Sequence, residues 1–278
     1  MRTRWRPRIR ARRRESGSCA VTDPELPSLE GRVALVTGAS GLLGGGIARR
    51  FAAAGAAVVL HCRDQGARAR ELAEEIGKAG GDALVVAADL REEDECRRLI
   101  GAARDWRGRL DALVNNAGVQ PVQELRGMSA ADWRELQEAN VTSAFACTQA
   151  AAEVMGAQDG GGSVTQIASI EGHQPAPGHA HYASSKAALI MFARAAAVEY
   201  GAAGVRVNSV SPGLIGRPGL EEDWPEGVER WGRAAPLSRL GRAEDVGSAC
   251  VFLASPAASW ITGVDLVVDG GVSARPTW

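Results

Sequence analysis

The sequence predicts an α/β fold: one doubly wound, parallel, seven-stranded sheet with helices on both faces. Three observations carry the prediction. Short apolar runs alternate with helical patterns without a break through most of the 278 residues. The first of these runs ends in a glycine loop that leads straight into a helix. The composition, 45% hydrophobic with 34 glycines, can bury a sizeable core, yet no stretch approaches the ~20 apolar residues that span a bilayer.

Residues 1–28 read as a disordered, Arg-rich tail, and 29–278 as the catalytic domain. Residues 1–14 hold eight arginines and no acid, so removing them from the net charge of −1 leaves −9 for the rest. A mildly acidic body argues against nucleic acid as the main partner. The tail lacks the apolar h-region of a secretory signal, and a native start further on, for example at Val21, is expected. The five cysteines (Cys19, Cys62, Cys96, Cys147, Cys250) are scattered without metal-type spacing. They read as reduced thiols of a cytoplasmic protein with no metal site and no membrane partner.

Residues 32–37 predict the first strand, and 47–54 the helix after it. Between them, Gly38, Ser40, Gly41, Leu42, Leu43 and Gly44 form the expected pyrophosphate cradle. Strand, glycine loop and helix in that order are the Rossmann dinucleotide signature: glycines let backbone N–H groups approach the phosphates, and the helix N-terminus favours the anion. Gly45 and Gly46 extend the run and each costs the helix about 1 kcal/mol relative to Ala, so a close-packing reason is expected there. The second strand, 57–62, ends Leu60-His61-Cys62-Arg63. An acid at this position would hold the ribose 2′-hydroxyl of NAD. Neutral Cys62 followed by cationic Arg63 suits a 2′-phosphate, so NADP(H) is favoured; Asp64 keeps NAD(H) open.

A helix over 67–78, a strand over 83–88, a helix over 92–104 and a strand over 110–114 follow. Ser129-x-x-Asp132 predicts a capping box that opens one long helix to about Met155, with Asn140 inside it. A strand over 163–168 delivers Ser169. A Gly/Pro loop leads to a helix from about His181 that carries Tyr182 and Lys186. Four apart, these two share a helical face, and an ammonium beside a phenol lowers the phenol pKa. Tyr182 is therefore a candidate acid/base. A strand over 205–210, a loop with helical stretches over 214–235, a helix over 243–253 and a strand over 264–268 complete the pattern.

Thr37-Gly38…Gly44, Asp89, Asn115-Asn116-Ala117-Gly118, Asn140, Ser169, Tyr182-x-x-x-Lys186 and Pro212-Gly213 together resemble the compact, single-domain branch of the short-chain dehydrogenase/reductases, over roughly residues 31–272. The resemblance implies hydride transfer between a nicotinamide dinucleotide and a carbonyl or secondary alcohol. It implies that Tyr182 is the acid/base, that Lys186 lowers its pKa and holds the nicotinamide ribose, that Ser169 positions the substrate oxygen, and that Asn140 holds a water linking Lys186 to solvent. It places Asp89 and Leu90 near the adenine, Asn116, Ala117 and Gly118 along the cofactor, and Pro212, Gly213 and Ile215 at the nicotinamide end. It also implies a homotetramer or homodimer built through the long helices and the last strand. Two features depart from the branch's habit: Leu42 stands where a glycine is usual, and Arg217 where many members have threonine.

The substrate pocket is expected from residues 171–181 and a substrate loop at about 214–235. Glu171, His173, Gln174, His179 and His181 make one wall polar, with His181 expected as a solvated loop residue; Trp224 and Trp231 are candidates for an apolar lid. A ketone, a 3-oxoacyl thioester, a sugar and a cyclic polyketide-like ketone all fit these features. Imine reduction, dehydration or epimerisation on the same scaffold, and a cofactor-sensing protein without turnover, are the rival readings.

Overall fold

β1 (Val33–Val36) shows why the sheet needs two covers. Val33 and Leu35 project to one face and Ala34 and Val36 to the other, and all four are buried. The computed structural model describes residues 26–64 and 66–275. The arginine-rich segment of the expected tail lies outside the described residues. Leu29 is buried in the core, and its N–H donates to the Ala54 carbonyl (2.7 Å).

The strands β1, β2 (Ala57–Cys62), β3 (Ala83–Ala87), β4 (Ala112–Asn115), β5 (Gly162–Ile167), β6 (Val205–Pro212) and β7 (Asp265–Val268) form one seven-stranded sheet in the order 3-2-1-4-5-6-7. Every pairing is parallel. Helices α1 (Leu42–Ala53), α2 (Ala67–Lys78) and, after the short α7 (Leu220–Asp223) and α8 (Pro225–Ala234), α9 (Ala243–Ala254) pack on the sheet, and α1, α2 and α9 cover one face, with Ile47, Phe51, Ile76 and Val251 in its core. Helices α3 (Glu93–Arg107), α5 (Ser143–Gly156) and α6 (Ala180–Tyr200) cover the other with Leu99, Cys147 and Ala193. This is the doubly wound architecture the alternating pattern predicts. Among the described residues no helix is long and apolar enough to cross a membrane.

Two local differences from the sequence reading matter for the site. The first helix starts at Leu42, not 47. Gly46 has the expected close-packing reason, because α9 lies against it and a Cβ there would come within 2.3 Å of the Ala243 Cβ; Gly45 does not, since a Cβ there would meet its neighbours no closer than 3.4 Å. The long helix opens with the expected box, Ser129 Oγ accepting from the Asp132 N–H (3.1 Å) and Asp132 Oδ2 from the Ser129 N–H (2.9 Å). It is not one α-helix, however. Helix α4 (Ala130–Gln137) passes through a π-helical turn, Glu138–Thr142, before α5 begins. The extra residue per turn there carries Asn140, and π-turns concentrate at functional sites.

Candidate active site

The order of strands reverses between β1 and β4, and the crevice at their carboxyl ends is where a doubly wound sheet takes its ligand. The chain leaving β1 turns at Gly38, whose φ is +65°. A Cβ on Gly44 would lie 2.3 Å from the Gly38 carbonyl oxygen, so loop and helix touch backbone to backbone. The first helical bond runs from the Gly45 N–H to the Gly41 carbonyl (2.8 Å), so the amides of Leu42, Leu43 and Gly44 are first-turn donors. The helix has no acid in its first turn and no side-chain cap at Gly41. That donor set fits the pyrophosphate of a dinucleotide.

From β4, Asn116 Nδ2 donates to the Thr37 carbonyl (2.8 Å), and the Asn116 and Ala117 N–H groups both donate to Thr37 Oγ1 (2.9 Å each). Thr37 thus knits the two strands on either side of the crevice, a role not given to it by sequence. On the other flank Arg91 chelates the Asp89 carboxylate and holds its pKa down to about 2. Arg63 is exposed nearby and adds to that depression. Leu90 is buried and accepts the Cys96 thiol at its carbonyl (3.4 Å). At the far end, the Gly213 N–H donates to the Val268 carbonyl (3.0 Å), Trp231 packs on Gly213, and Ile215 bridges to Gly241. Arg217 is committed to Asp223 at 2.6 Å.

The four chemistry-bearing residues converge beside this crevice. Ser169 leaves β5 at the start of a tight turn, where its Oγ accepts from the Glu171 N–H (3.1 Å). Tyr182 and Lys186 share one face of α6 and are both buried. Lys186 Nζ donates to the Ile167 carbonyl at the end of β5 (2.8 Å) and sits 5.5 Å from the Tyr182 ring centroid. Asn140 is buried in the π-turn. Its Nδ2 donates to the Val119 carbonyl (3.0 Å) and to Ser185 Oγ (3.2 Å), and its Oδ1 accepts from the Val119 N–H (2.8 Å). Gly118 lies between Asn140 and Lys186: a Cβ there would be 3.0 Å from Asn140 Oδ1 and 3.7 Å from Lys186 Nζ.

The electrostatics differ from the sequence expectation. Burial, and not the neighbouring Lys186, is the largest influence on the Tyr182 phenol. Burial pushes the phenol up to about 12; the hydrogen bond with Ser169 pulls the other way, and the Glu171 charge adds to the rise. Burial also pushes Lys186 down to about 8, because its ammonium faces a carbonyl and no carboxylate. The histidines differ too. His181 is a buried residue of the first turn of α6, not a solvated one, and neither ring nitrogen has a hydrogen-bond partner among the described residues. His179 Nδ1 bonds Glu171 Oε2 (2.8 Å), and its ring meets Tyr182 edge-on at 6.0 Å. Gln120 Nε2 donates to the other Glu171 oxygen (3.2 Å). His173 turns away to Asp265 on β7 (2.7 Å). Trp224 is half exposed, folded against Gly227 of its own segment, while Trp231 is seated at Gly213.

A family model described as Enoyl-(Acyl carrier protein) reductase matches residues 38–273. A 3-oxoacyl-(acyl-carrier-protein) reductase of Synechocystis sp. is 37% identical over 248 residues, 89% of this chain and 99% of that protein. The chain belongs to the short-chain dehydrogenase/reductase family. An L-rhamnose 1-dehydrogenase (NAD(P)(+)) of Azotobacter vinelandii is 38% identical over 246 residues, covering 87% and 96% of the two chains. Among solved structures, a 7α-hydroxysteroid dehydrogenase complexed with NADH and 7-oxo glycochenodeoxycholic acid superposes with a TM-score of 0.82 at 36% identity, over 88% of this chain and 95% of that one. This short-chain dehydrogenase/reductase therefore shares an oxidoreductase family with proteins named for acyl-carrier, sugar and steroid chemistry.

Proposed function

We propose that this short-chain dehydrogenase/reductase transfers a hydride between NADP(H) and a ketone or the matching secondary alcohol. The observation that carries the reading is the meeting of Ser169, Tyr182, Lys186 and Asn140 beside a glycine cradle that fits a dinucleotide pyrophosphate. When bound, the nicotinamide supplies or accepts the hydride. Tyr182 holds its proton at neutral pH because burial favours the neutral phenol, and this is the form that donates to a carbonyl oxygen as negative charge develops there. Ser169 Oγ, at the end of β5, fixes where that oxygen sits. Lys186 stands behind Tyr182 with its Nζ against the Ile167 carbonyl, next to Gly118 and the π-turn, and returns the proton.

Residues 38–44, Asp89, Leu90, Asn116, Ala117, Gly118, Pro212, Gly213 and Ile215 would hold the dinucleotide. The NADP(H) preference rests on neutral Cys62 and on Arg63, which makes no ion pair among the described residues. Gln120, Glu171 and His179 form a hydrogen-bonding wall against the Tyr182 ring that suits a substrate with polar groups near its reacting carbon; residues 214–235 would close over it. The exposed Phe145 on α5, Met191 and Val198 on α6, and Trp260 before β7 suit burial in a homodimer or homotetramer. Buried free thiols at Cys62, Cys96, Cys147 and Cys250 suit the cytoplasm.

The test is nicotinamide absorbance, with NADPH and NADH compared side by side against ketones, 3-oxoacyl thioesters, sugars and cyclic ketones. NADPH consumption with one of these classes is expected. Binding of the dinucleotide without oxidation or reduction by any of them would remove the enzyme reading and leave a sensor.

A further inference from the structure

His61 interrupts the apolar run of β2, and it is almost completely buried, 3% exposed. Its ring joins two segments that are not adjacent in sequence. The Gly38 N–H donates to Nδ1 (3.0 Å), and Nε2 lies 3.0 Å from the Ala88 carbonyl. Gly38 opens the phosphate loop; Ala88 immediately precedes Asp89 and Leu90. The backbone repeats the link, since the Ala39 N–H donates to the His61 carbonyl (2.8 Å) and the Ala88 N–H to the Cys62 carbonyl (3.0 Å).

Only one protonation state satisfies this geometry. Nδ1 must carry a lone pair for Gly38, so Nε2 carries the proton given to Ala88. A second proton, on Nδ1, would set N–H against N–H in a place where water cannot relieve it. The charge that reaches the ring comes from the β3 end: Asp89, both of whose oxygens are held by Arg91 and which also feels Arg63. From β1, Thr37, Gly38 and Ala39 contribute no charge. From β2 itself, the neighbouring Cys62 thiol is spent on the Asp64 carbonyl (2.7 Å).

We propose that His61 is a positioning residue that ties the phosphate loop to the adenine wall, and that its protonation loosens both and weakens dinucleotide binding. The inference rests on reading the crevice as the dinucleotide site. Burial outweighs the Ala88 hydrogen bond and the Asp89 charge and keeps the ring below its ordinary 6.5, so at neutral pH it is in the holding state. The weakening therefore belongs to the acid side of 6.5. A group whose folded pKa is depressed favours the intact loop above that value and opposes it as pH falls.

The decisive measurement is direct binding of NADPH and NADH, without substrate, by nicotinamide fluorescence between pH 5 and 8. For wild type, one linked proton makes Kd rise by up to about tenfold per pH unit on the acid limb. His61→Asn offers Gly38 an acceptor that does not titrate, and its Kd should lose this dependence. His61→Leu removes both bonds. Its Kd should rise about tenfold at pH 7.5, with the loss in turnover assays falling on the dinucleotide KM rather than on kcat. The protection factor of the Gly38 amide in the ligand-free protein, its exchange rate corrected for the intrinsic rate at each pH, should fall in acid for wild type and not for His61→Asn. A His61→Asn protein that keeps the wild-type acid limb and exchange profile would overturn the proposal, even if His61→Leu fails to fold. If wild type binds neither dinucleotide, the function reading falls, while the exchange comparison still judges the loop.

Discussion

The two ends of the sheet treat buried charge in opposite ways. At the amino end, Asp111 stands just before β4 with its carboxylate 8% exposed. Arg109 bonds both its oxygens (2.6 and 2.7 Å), Arg32 one of them (2.7 Å), and the Val33 N–H the other (2.9 Å). Burial raises its pKa, but these partners outweigh burial and hold it below the usual carboxylate value. At the carboxyl end, Lys186 is buried against a single carbonyl, and burial alone sets its pKa. The difference separates two uses of a charge. A fully answered charge stabilises and does not exchange its proton near neutrality; an unanswered one is poised to exchange it and stays costly until a ligand arrives.

The largest expected effect breaks the carboxyl end. Tyr182→Phe keeps the ring, its edge contact with His179 and its burial, and removes only the hydroxyl. Turnover should fall by about 10³-fold or more, the scale of a positioned acid/base, while NADPH titration gives a Kd near the wild-type one. Residual turnover within tenfold of wild type would mean that the proton comes from elsewhere, and the Glu171–His179 pair would be the next suspect.

Much of this contrast was legible in the chain itself. The strands could be read because each is a short apolar run closed by glycine or a polar residue, and the cradle because Gly38, Gly41 and Gly44 fall between strand and helix. The spacing of Tyr182 and Lys186 showed that they share a face. Their pKa directions could not be read that way, because they depend on how deeply α6 is buried and on where Nζ points. The π-turn escaped because a single added residue leaves no mark in the periodicity of 129–155; a mid-helix Asn140 was its only trace. His181 reads as a loop residue beside Gly178 and Pro177, whereas α6 begins at Ala180 and takes its first turn into the interior. His61 reads in the chain as one more strand residue, although a lone imidazole in an otherwise apolar run is itself a signal.

Lys186 sharpens the comparison next. Its folded pKa, about 8, lies below the ordinary 10.5, so the unfolded chain binds more protons between those values. Stability from this group therefore rises with pH across that window, and the penalty is fully present below about 8. Lys186→Met removes the ammonium without opening space. At pH 7 the variant should be about 2 kcal/mol more stable than wild type in urea while nearly inactive. The gap should close toward pH 10. Above that, Tyr182 acts on both proteins alike and with the opposite sign, since a raised phenol pKa loses stability as pH climbs from 10 to about 12. The chain has only one other lysine, Lys78, and comparing the two proteins cancels the thiols. A variant less stable than wild type at pH 7 would show that the Ile167 hydrogen bond outweighs desolvation.

Asp111→Asn breaks the amino end and should have the smallest effect. Asparagine keeps one acceptor but turns an NH₂ toward a guanidinium. Arg32 and Arg109 are 40% and 35% exposed, so water recovers part of what they lose. The cost should be about 1–2 kcal/mol at pH 7 rather than the larger penalty of a fully buried pair. Asp111 has a depressed folded pKa, so its contribution is complete above 3.8 and fades as pH falls below it. Denaturant midpoints of wild type and Asp111→Asn should therefore differ at pH 7 and converge near pH 3, with kcat/KM at pH 7 the same in both. Equal midpoints at pH 7 would mean that the answered charge contributes no net stability, and that the sheet's amino end is held by its apolar packing alone.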